Sequence, residues 1–90
     1  MNNNPSIIRV SGKSPVKAVA GSITKSFEHN NEVEIHAVGA SSINQGIKAI
    51  AMARGFLATK GYDLVCRPGF STIMIGEEEK TAIRLVLKLQ

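Results

Sequence analysis

The sequence predicts an α+β domain, a two-layer sandwich with the element order β-α-β-α-β-β, in which a four-stranded mixed sheet carries both helices on one face. Three observations predict this fold. Four short runs are β-branched or alternate between apolar and polar residues, two segments with helical apolar spacing separate the first three runs, and the last two runs form a hairpin. The 90 residues have room for a single domain, residues 1–90, with residues 1–5 expected to be flexible.

The first strand and the first helix are predicted from residues 7–29. Residues 7–10 are a β-branched run typical of a strand. Ser14 and Pro15 are typical of a helix start, with the serine as the N-cap and the proline at the first helical position. The helix is expected to end near His29, and its apolar stripe consists of Val16, Val19, Ala20, Ile23 and Phe27.

The second strand and the second helix are predicted from residues 32–61. Residues 32–39 alternate, which indicates a strand with one covered face, formed by Val33, Ile35 and Ala37. Ser41 or Ser42 is expected to cap the second helix, and Gly61 is expected to end it. The predicted core side of this helix consists of Ile43, Ile47, Ile50 and Leu57. A flat flank, open to close approach by another backbone or helix, consists of Gly46, Ala49 and Ala53.

The rest of the chain is predicted to form a hairpin. Residues 62–75 are extended, and Pro68 with Gly69 indicates an edge strand or a bulge, because proline lacks the N–H that a central strand donates. Residues 76–80 are interpreted as a charged turn. The last strand alternates, with one side formed by Ile83, Leu85, Leu87 and Leu89. Right-handed crossovers then place both helices on the same face of the sheet.

Positive charge is concentrated in the first two-thirds of the chain. The formal net charge is +4, and residues 1–60 hold seven Lys/Arg against three Glu, whereas residues 61–90 are balanced. A basic surface attracts polyanions over about a Debye length, so the charge favours nucleic acid as a partner. The other interpretation is that the charge only keeps a small domain in solution.

No catalytic, metal or cofactor site is expected. Gly12-Lys13-Ser14 resembles the end of a phosphate-binding P-loop, but that motif requires a glycine at position 7, where Ile7 stands. His29 and His36 have no metal-ligand spacing to Cys66 or to the carboxylates, and Cys66 is interpreted as an inert buried thiol. No leader or membrane-length apolar run is recognised, so the cytoplasm, including the nucleoid, is the expected location.

The two helix starts are the candidate anion-binding sites. Lys13 precedes the first helix and Lys17 follows one turn later, where free N–H groups and the helix dipole favour an anion. If the first two strands are parallel, the start of the second helix lies at the same end of the sheet. Asn44 and Gln45 lie in its first turn and carry donors and acceptors suited to sugar or base edges, or alternatively cap and solvate the helix.

Aromatic residues are few, and the sequence shows no stacking platform for single-stranded nucleic acid. Such a platform presents several aromatic side chains on one open face. Contacts with nucleic acid are therefore expected to be mainly with the backbone, with low sequence specificity.

Several blocks of the sequence are typical of one family. They include Val10-Ser11-Gly12-Lys13-Ser14, Val38-Gly39-Ala40, Asn44-Gln45, Ala53-Arg54-Gly55-Phe56 and Asp63-Leu64-Val65-Cys66. Over residues 7–89 the chain resembles the bacterial stage V sporulation protein S family. That family in turn resembles Alba, the small basic chromatin protein of archaea, in its element order and in its first loop containing Gly-Lys.

The resemblance implies an Alba-like fold, self-association, nucleic-acid binding and a regulatory role in spore development. Alba-like proteins place the lysines of the first loop on the nucleic acid, and in this sequence Lys13 matches while Ser14 stands at the neighbouring lysine position. They also use the terminal hairpin, here residues 67–84, as an arm along the minor groove. The tip of this hairpin is acidic at residues 77–79, which opposes a contact with phosphate.

Two hypotheses of different classes follow. The first is a non-enzymatic nucleic-acid-binding regulator, a homodimer or higher homo-oligomer, that contacts DNA or RNA through Lys13, Lys17, Asn44, Gln45, Lys48 and Arg54. The alternative is an oligomeric protein-interaction module that regulates through a protein partner without nucleic acid, with Met52 and Phe56 at the interface. Neither hypothesis requires a cofactor, a metal or a membrane.

Overall fold

The computed structural model describes residues 6–90, so the predicted flexibility of residues 1–5 lies outside the described residues. The elements follow the predicted order: β1 (Ser6–Val10), α1 (Val16–Ser26), β2 (Glu32–Ala37), α2 (Ala40–Ala58), β3 (Leu64–Ile75) and β4 (Glu78–Leu89). Helix α1 ends three residues before His29, because the chain continues there as turns in which the Glu28 and His29 N–H groups donate to Lys25 and Ser26 carbonyls.

The four strands form one mixed sheet in the order β1-β2-β4-β3. Strand β1 pairs with β2 in parallel, and β4 pairs antiparallel with both β2 and β3. Strand β3 is therefore at an edge, which is where the missing N–H of Pro68 is tolerated. The predicted two-layer α+β architecture is confirmed.

The core lies between the two helices and the inner face of the sheet. Val33 and Ile35 of β2 are fully buried, as predicted from their alternation, and Leu85 and Leu87 extend the same layer on β4. Ile23 of α1 is fully buried against this layer. Strands β2 and β4 are central, so neighbouring strands flank their inward-facing side chains on both sides and the helices cover them. This burial of apolar surface is the main source of stability.

Helix α2 turns its small residues toward the sheet. Gly46, Ala49 and Ala53 are buried, and a Cβ atom on Gly46 would lie 3.4 Å from Ile35 Cγ2. The predicted flat flank is therefore part of the core. Ile47, which was predicted to lie in the core, is 47% exposed instead. Small side chains allow the helix backbone to approach the sheet, and at position 46 a Cβ atom would already be in van der Waals contact, so a bulky side chain has no space there.

The β3–β4 hairpin extends beyond the rest of the sheet. Strand β2 pairs with β4 only from Ile83 to Lys88, so residues 71–75 and 78–82 pair with each other alone and form a protruding arm. The turn consists of Gly76 and Glu77, with a φ of 64° at the glycine. The predicted turn over residues 76–80 was too long, because a two-residue turn allows pairing to begin at Glu78.

Gly61 supplies a left-handed residue after α2, and replacing it is expected to destabilise the fold. Its φ is +86°, and a Cβ atom there would meet nothing within 4 Å, so the cost of Gly61→Ala is conformational, about 1 kcal/mol. Gly55→Ala is the matched control, because Gly55 is helical and equally open. We expect urea unfolding to show a loss of stability for Gly61→Ala and a gain of up to about 1 kcal/mol for Gly55→Ala. Equal changes in the free energy of unfolding for the two variants would contradict the left-handed role of Gly61.

Candidate functional site

The starts of both helices lie at one end of the sheet. Because β1 and β2 are parallel, Val10 and Ala37 are register partners where the two strands finish, and each strand leads into a helix from there. The surface made by residues 11–17 and 39–48 is called the rim below. The predicted placement of both helix starts at the same end of the sheet is confirmed.

The loop that carries Lys13 is held by hydrogen bonds among its own residues. The Ser11 N–H donates to Ser14 Oγ at 2.9 Å, and the Ser14 N–H donates to the Ser11 carbonyl at 3.1 Å. The Lys13 N–H donates to Ser11 Oγ at 3.2 Å. The predicted N-cap role of Ser14 was wrong, because its hydroxyl is used within the loop and Pro15 occupies the N-cap position.

This loop is also attached to the first turn of α2. Gln45 Nε2 donates to the Ser14 carbonyl at 2.9 Å. Gly12 lies against Ser41 so closely that a Cβ atom on the glycine would overlap the serine hydroxyl. The two halves of the rim therefore form one continuous surface, and Gln45 fixes the position of the loop that carries Lys13.

No side chain caps the start of either helix. The N-caps are Pro15 and Gly39, neither helix has a side-chain cap hydrogen bond, and neither has an acidic residue in its first turn. The predicted capping of α2 by Ser41 or Ser42 was wrong, because the helix already begins at Ala40. The first N–H groups of both helices lack intrahelical partners, so the rim combines free donors with the positive ends of two helix dipoles.

Most of the predicted contact residues lie on or beside the rim. Lys13, Lys17, Asn44 and Lys48 are exposed, and Gln45 is half-buried by its bond to the loop. Asn44 and Lys48 are one turn apart and share a helix face. These residues combine exposed positive charge with an amide in the first turn of α2.

Arg54 stands apart from this group. It lies ten residues after Asn44, about 15 Å further along α2 at the helical rise per residue. Its Nη2 atom is 3.5 Å from Asp63 Oδ1, and both side chains are more than half exposed. The structure therefore does not bring Arg54 together with Lys13.

A second basic surface, on the outer face of the sheet, was missed by sequence reasoning. Arg9, His36 and Arg84 are register partners on three adjacent strands, and both arginines are exposed. His36 Nε2 lies 3.0 Å from Glu34 Oε1. The alternation of each strand indicates an outward direction for these residues, but only the strand order reveals that they are neighbours.

Cys66 is exposed on the edge strand β3, which corrects the prediction of a buried thiol. An edge strand lies beyond the cover of the helices, so a residue on the inner face of the sheet can still contact water there. Partial burial nevertheless raises the pKa of the Cys66 thiol, because desolvation disfavours the thiolate.

Residues 6–90 show no cluster of metal-binding side chains and no helix suited to crossing a membrane. Within that range no three His, Cys, Asp or Glu side chains come together as a potential metal site. Neither of the two helices has the length and hydropathy that a membrane-crossing helix needs.

Comparison with known proteins agrees with the fold described above. Residues 6–90 match the family described as Stage V sporulation protein S (SpoVS). The chain belongs to the SpoVS family. Among solved structures, it is similar to Alba from Thermoplasma volcanium, with a TM-score of 0.64 and 20% sequence identity over 92% of this chain and 99% of that chain. The predicted family resemblance and the Alba-like fold are both confirmed for this SpoVS-family chain.

The reactivity of Cys66 tests the environment of β3 in this SpoVS-family chain. Because the thiolate is the nucleophile and burial raises the pKa of this thiol, alkylation by iodoacetamide at about pH 8 should be slower than for free glutathione. Mass spectrometry reports Cys66 alone, since the chain has one cysteine. The rate should reach the glutathione value once urea unfolds the protein. A folded rate equal to that of glutathione would contradict the prediction.

Proposed function

We propose that this protein is a non-enzymatic regulator of sporulation or development that binds the DNA or RNA backbone with low sequence specificity. It acts as a homodimer or higher homo-oligomer in the cytoplasm, in association with the nucleoid when DNA is bound. The observation that carries the proposal is the Lys13 loop, which is held by hydrogen bonds beside two helix starts that have no side-chain cap.

This arrangement suits a phosphate group. The loop is ordered before binding, so a lysine at its tip loses less conformational entropy on contact than one on a flexible segment. The helix N–H groups donate hydrogen bonds to an anion and add the favourable dipole field. Lys13 and Lys17 supply charge, Asn44 and Lys48 extend the contact along α2, and Gln45 holds the loop.

Low specificity follows from the chemistry of these groups. Lysine ammonium groups and backbone N–H groups contact phosphates, which position a nucleic acid but carry no sequence information. Arg54 is a peripheral member of the proposed surface, because a phosphate there competes with Asp63 for the guanidinium group. The net charge of +4 adds long-range attraction for any polyanion.

The alternative function is a protein-interaction module that regulates without nucleic acid. One observation favours it: Met52 and Phe56 are about half exposed on α2, where a partner protein would bury them. In that case the charge of the rim is not needed, and reversing Lys13 and Lys17 to glutamate leaves regulation intact.

Binding at the rim is tested by fluorescence anisotropy with labelled duplex DNA, single-stranded DNA and RNA at several salt concentrations. We expect affinity to fall steeply with salt. Lys13→Ala should weaken binding to all sequences about equally and reduce the slope of log K against log salt by about 0.9 for duplex DNA, the change for one lost phosphate contact.

Lys88→Ala is the matched control, since it removes the same charge from an exposed lysine on β4 that is 3.6 Å from Glu32. It should leave the salt slope unchanged. Equal effects of the two variants would remove Lys13 from the site. No binding to any of the three nucleic acids, even at low salt, would reject the proposal in favour of a protein partner.

A further inference from the structure

Three of the four aromatic residues of the chain line one groove. Phe27, Phe56 and Tyr62 come from three separate segments and meet at the end of the helical layer opposite to the rim, in a groove of about 480 Å³. Phe56 is 52% exposed and Tyr62 is 49% exposed. The structure thus brings together aromatic residues that are far apart in the sequence. This groove, lined by those three residues with Lys25, Glu28 and Lys60, is called the aromatic groove.

The local backbone determines where Tyr62 lies. Gly61 has a φ of +86°, which reverses the chain after α2. The Tyr62 and Lys60 N–H groups then donate to the Leu57 carbonyl at 3.1 and 3.0 Å, respectively. Tyr62 is therefore attached to the last turn of α2 and shares the groove with Phe56. Its position does not depend on a flexible loop.

The charges around the aromatic groove favour an uncharged ring over a bare phosphate at its centre. The carboxyl ends of both helices are here, so their dipoles present negative partial charge, and Glu28 adds a carboxylate. Lys25 and Lys60 offset this charge, and Lys60 Nζ lies 4.8 Å from the centroid of the Phe56 ring. A planar base that stacks on Phe56 takes the place of the Lys60 ammonium group over that ring, and both ammonium groups are then available to the phosphates on either side of the base.

The aromatic groove continues toward the rim. A second groove of about 320 Å³ runs between α1 and α2, is lined by Lys17 and Met52, and shares Thr24 and Phe56 with the aromatic groove. A chain bound at the rim therefore has a continuous path from Lys17 to Tyr62. Its first part has a mainly apolar lining, and unpaired bases can contact such a lining because they are not enclosed in a duplex.

We propose that the aromatic groove binds the bases of single-stranded nucleic acid by stacking on Phe56 and Tyr62, with the strand reaching it from Lys17 along the helices. The inference rests on the proposed function and adds to it a preference for unpaired strands. Stacking on aromatic side chains is tolerant of base identity, so it agrees with low sequence specificity.

The test compares single-stranded and duplex DNA of the same sequence by anisotropy. Phe56→Leu and Tyr62→Leu should each weaken single-strand binding about fivefold or more, the loss expected for one stacked base, and should leave duplex binding within about twofold. Tyr62→Phe should retain single-strand binding. Phe70→Leu is the control, because Phe70 is 78% exposed on β3 outside both grooves. Thermal melts verify that every variant folds.

Tyr62 also provides a direct signal. It is the single tyrosine, and the chain has no tryptophan, so the intrinsic tyrosine fluorescence reports this residue alone. We expect a single-stranded oligonucleotide to quench it with the midpoint found by anisotropy, and a duplex to leave it unchanged. Free tyrosine at the same absorbance corrects for light absorbed by the oligonucleotide.

The outcomes separate this inference from the proposed function. If Lys13→Ala weakens the binding of both nucleic acids, while Phe56→Leu and Tyr62→Leu leave binding unchanged and the tyrosine fluorescence is not quenched, the rim is the binding site and the stacking site is rejected. If Phe56→Leu changes only the oligomeric state in sedimentation, the groove is a contact between copies of the chain and stacking is again rejected. If the wild-type protein binds neither nucleic acid, both proposals fail.

Discussion

The close approach of α2 to the sheet is the constraint on which the rest of the molecule depends. With Gly46 over Ile35, and with Ala49 and Ala53 following on the same side, the helix backbone lies near the strands. A Cβ atom on Gly46 would lie 3.4 Å from Ile35 Cγ2, which leaves no space for a bulky side chain. Ile50 and Leu57 are buried beside these small residues, whereas Ile47 and Phe56 lie on the outer side of the helix. Burial of small residues thus determines what the helical layer presents to solvent.

The parallel pairing of β1 and β2 gives that helical layer a direction. Both helices start at the rim and end at the aromatic groove, so their dipoles are aligned and the two ends differ in electrostatic character. At the rim the positive helix ends have no acidic residue or side-chain cap to offset them. At the other end Lys25 and Lys60 compensate the negative helix ends. The proposed function assigns phosphate contacts to the rim, and the further inference assigns base contacts to the aromatic groove.

The fold was largely predictable because its strands and helices follow from the local pattern of apolar and polar residues. The alternation of Val33 and Ile35 indicated the buried face of β2, and parallel pairing followed from the βαβ order. The buried face of α2 was assigned wrongly in part, since hydrophobicity ranks Ile47 above Gly46 whereas the space between helix and sheet selects the glycine. Local signals also compete with one another: the Ser14 hydroxyl accepts a hydrogen bond from the Ser11 N–H within the loop and does not cap the helix.

The candidate sites were predictable only where they are local in sequence. Lys13 and its helix start are adjacent along the chain, so the sequence indicated the rim. The aromatic groove joins Phe27, Phe56 and Tyr62, which are up to 35 positions apart, and no spacing rule connects them. The row of Arg9, His36 and Arg84 likewise requires the strand order, which the alternation of a single strand does not contain.

The hairpin arm bears on the direction that a nucleic-acid strand would take from the rim in the proposed function. The arm projects from the rim end of the sheet, and its residues Ile73 and Ile75 line a cleft with Ser11 and Ser42. Its tip carries three consecutive glutamates, of which Glu78 is 2.9 Å from Lys80. Phosphates leaving the rim toward this tip would meet net negative charge, since one lysine faces three glutamates, whereas Lys17 lines the groove between α1 and α2. Electrostatics therefore favours a strand that leaves the rim along the helices, which is the direction of the aromatic groove.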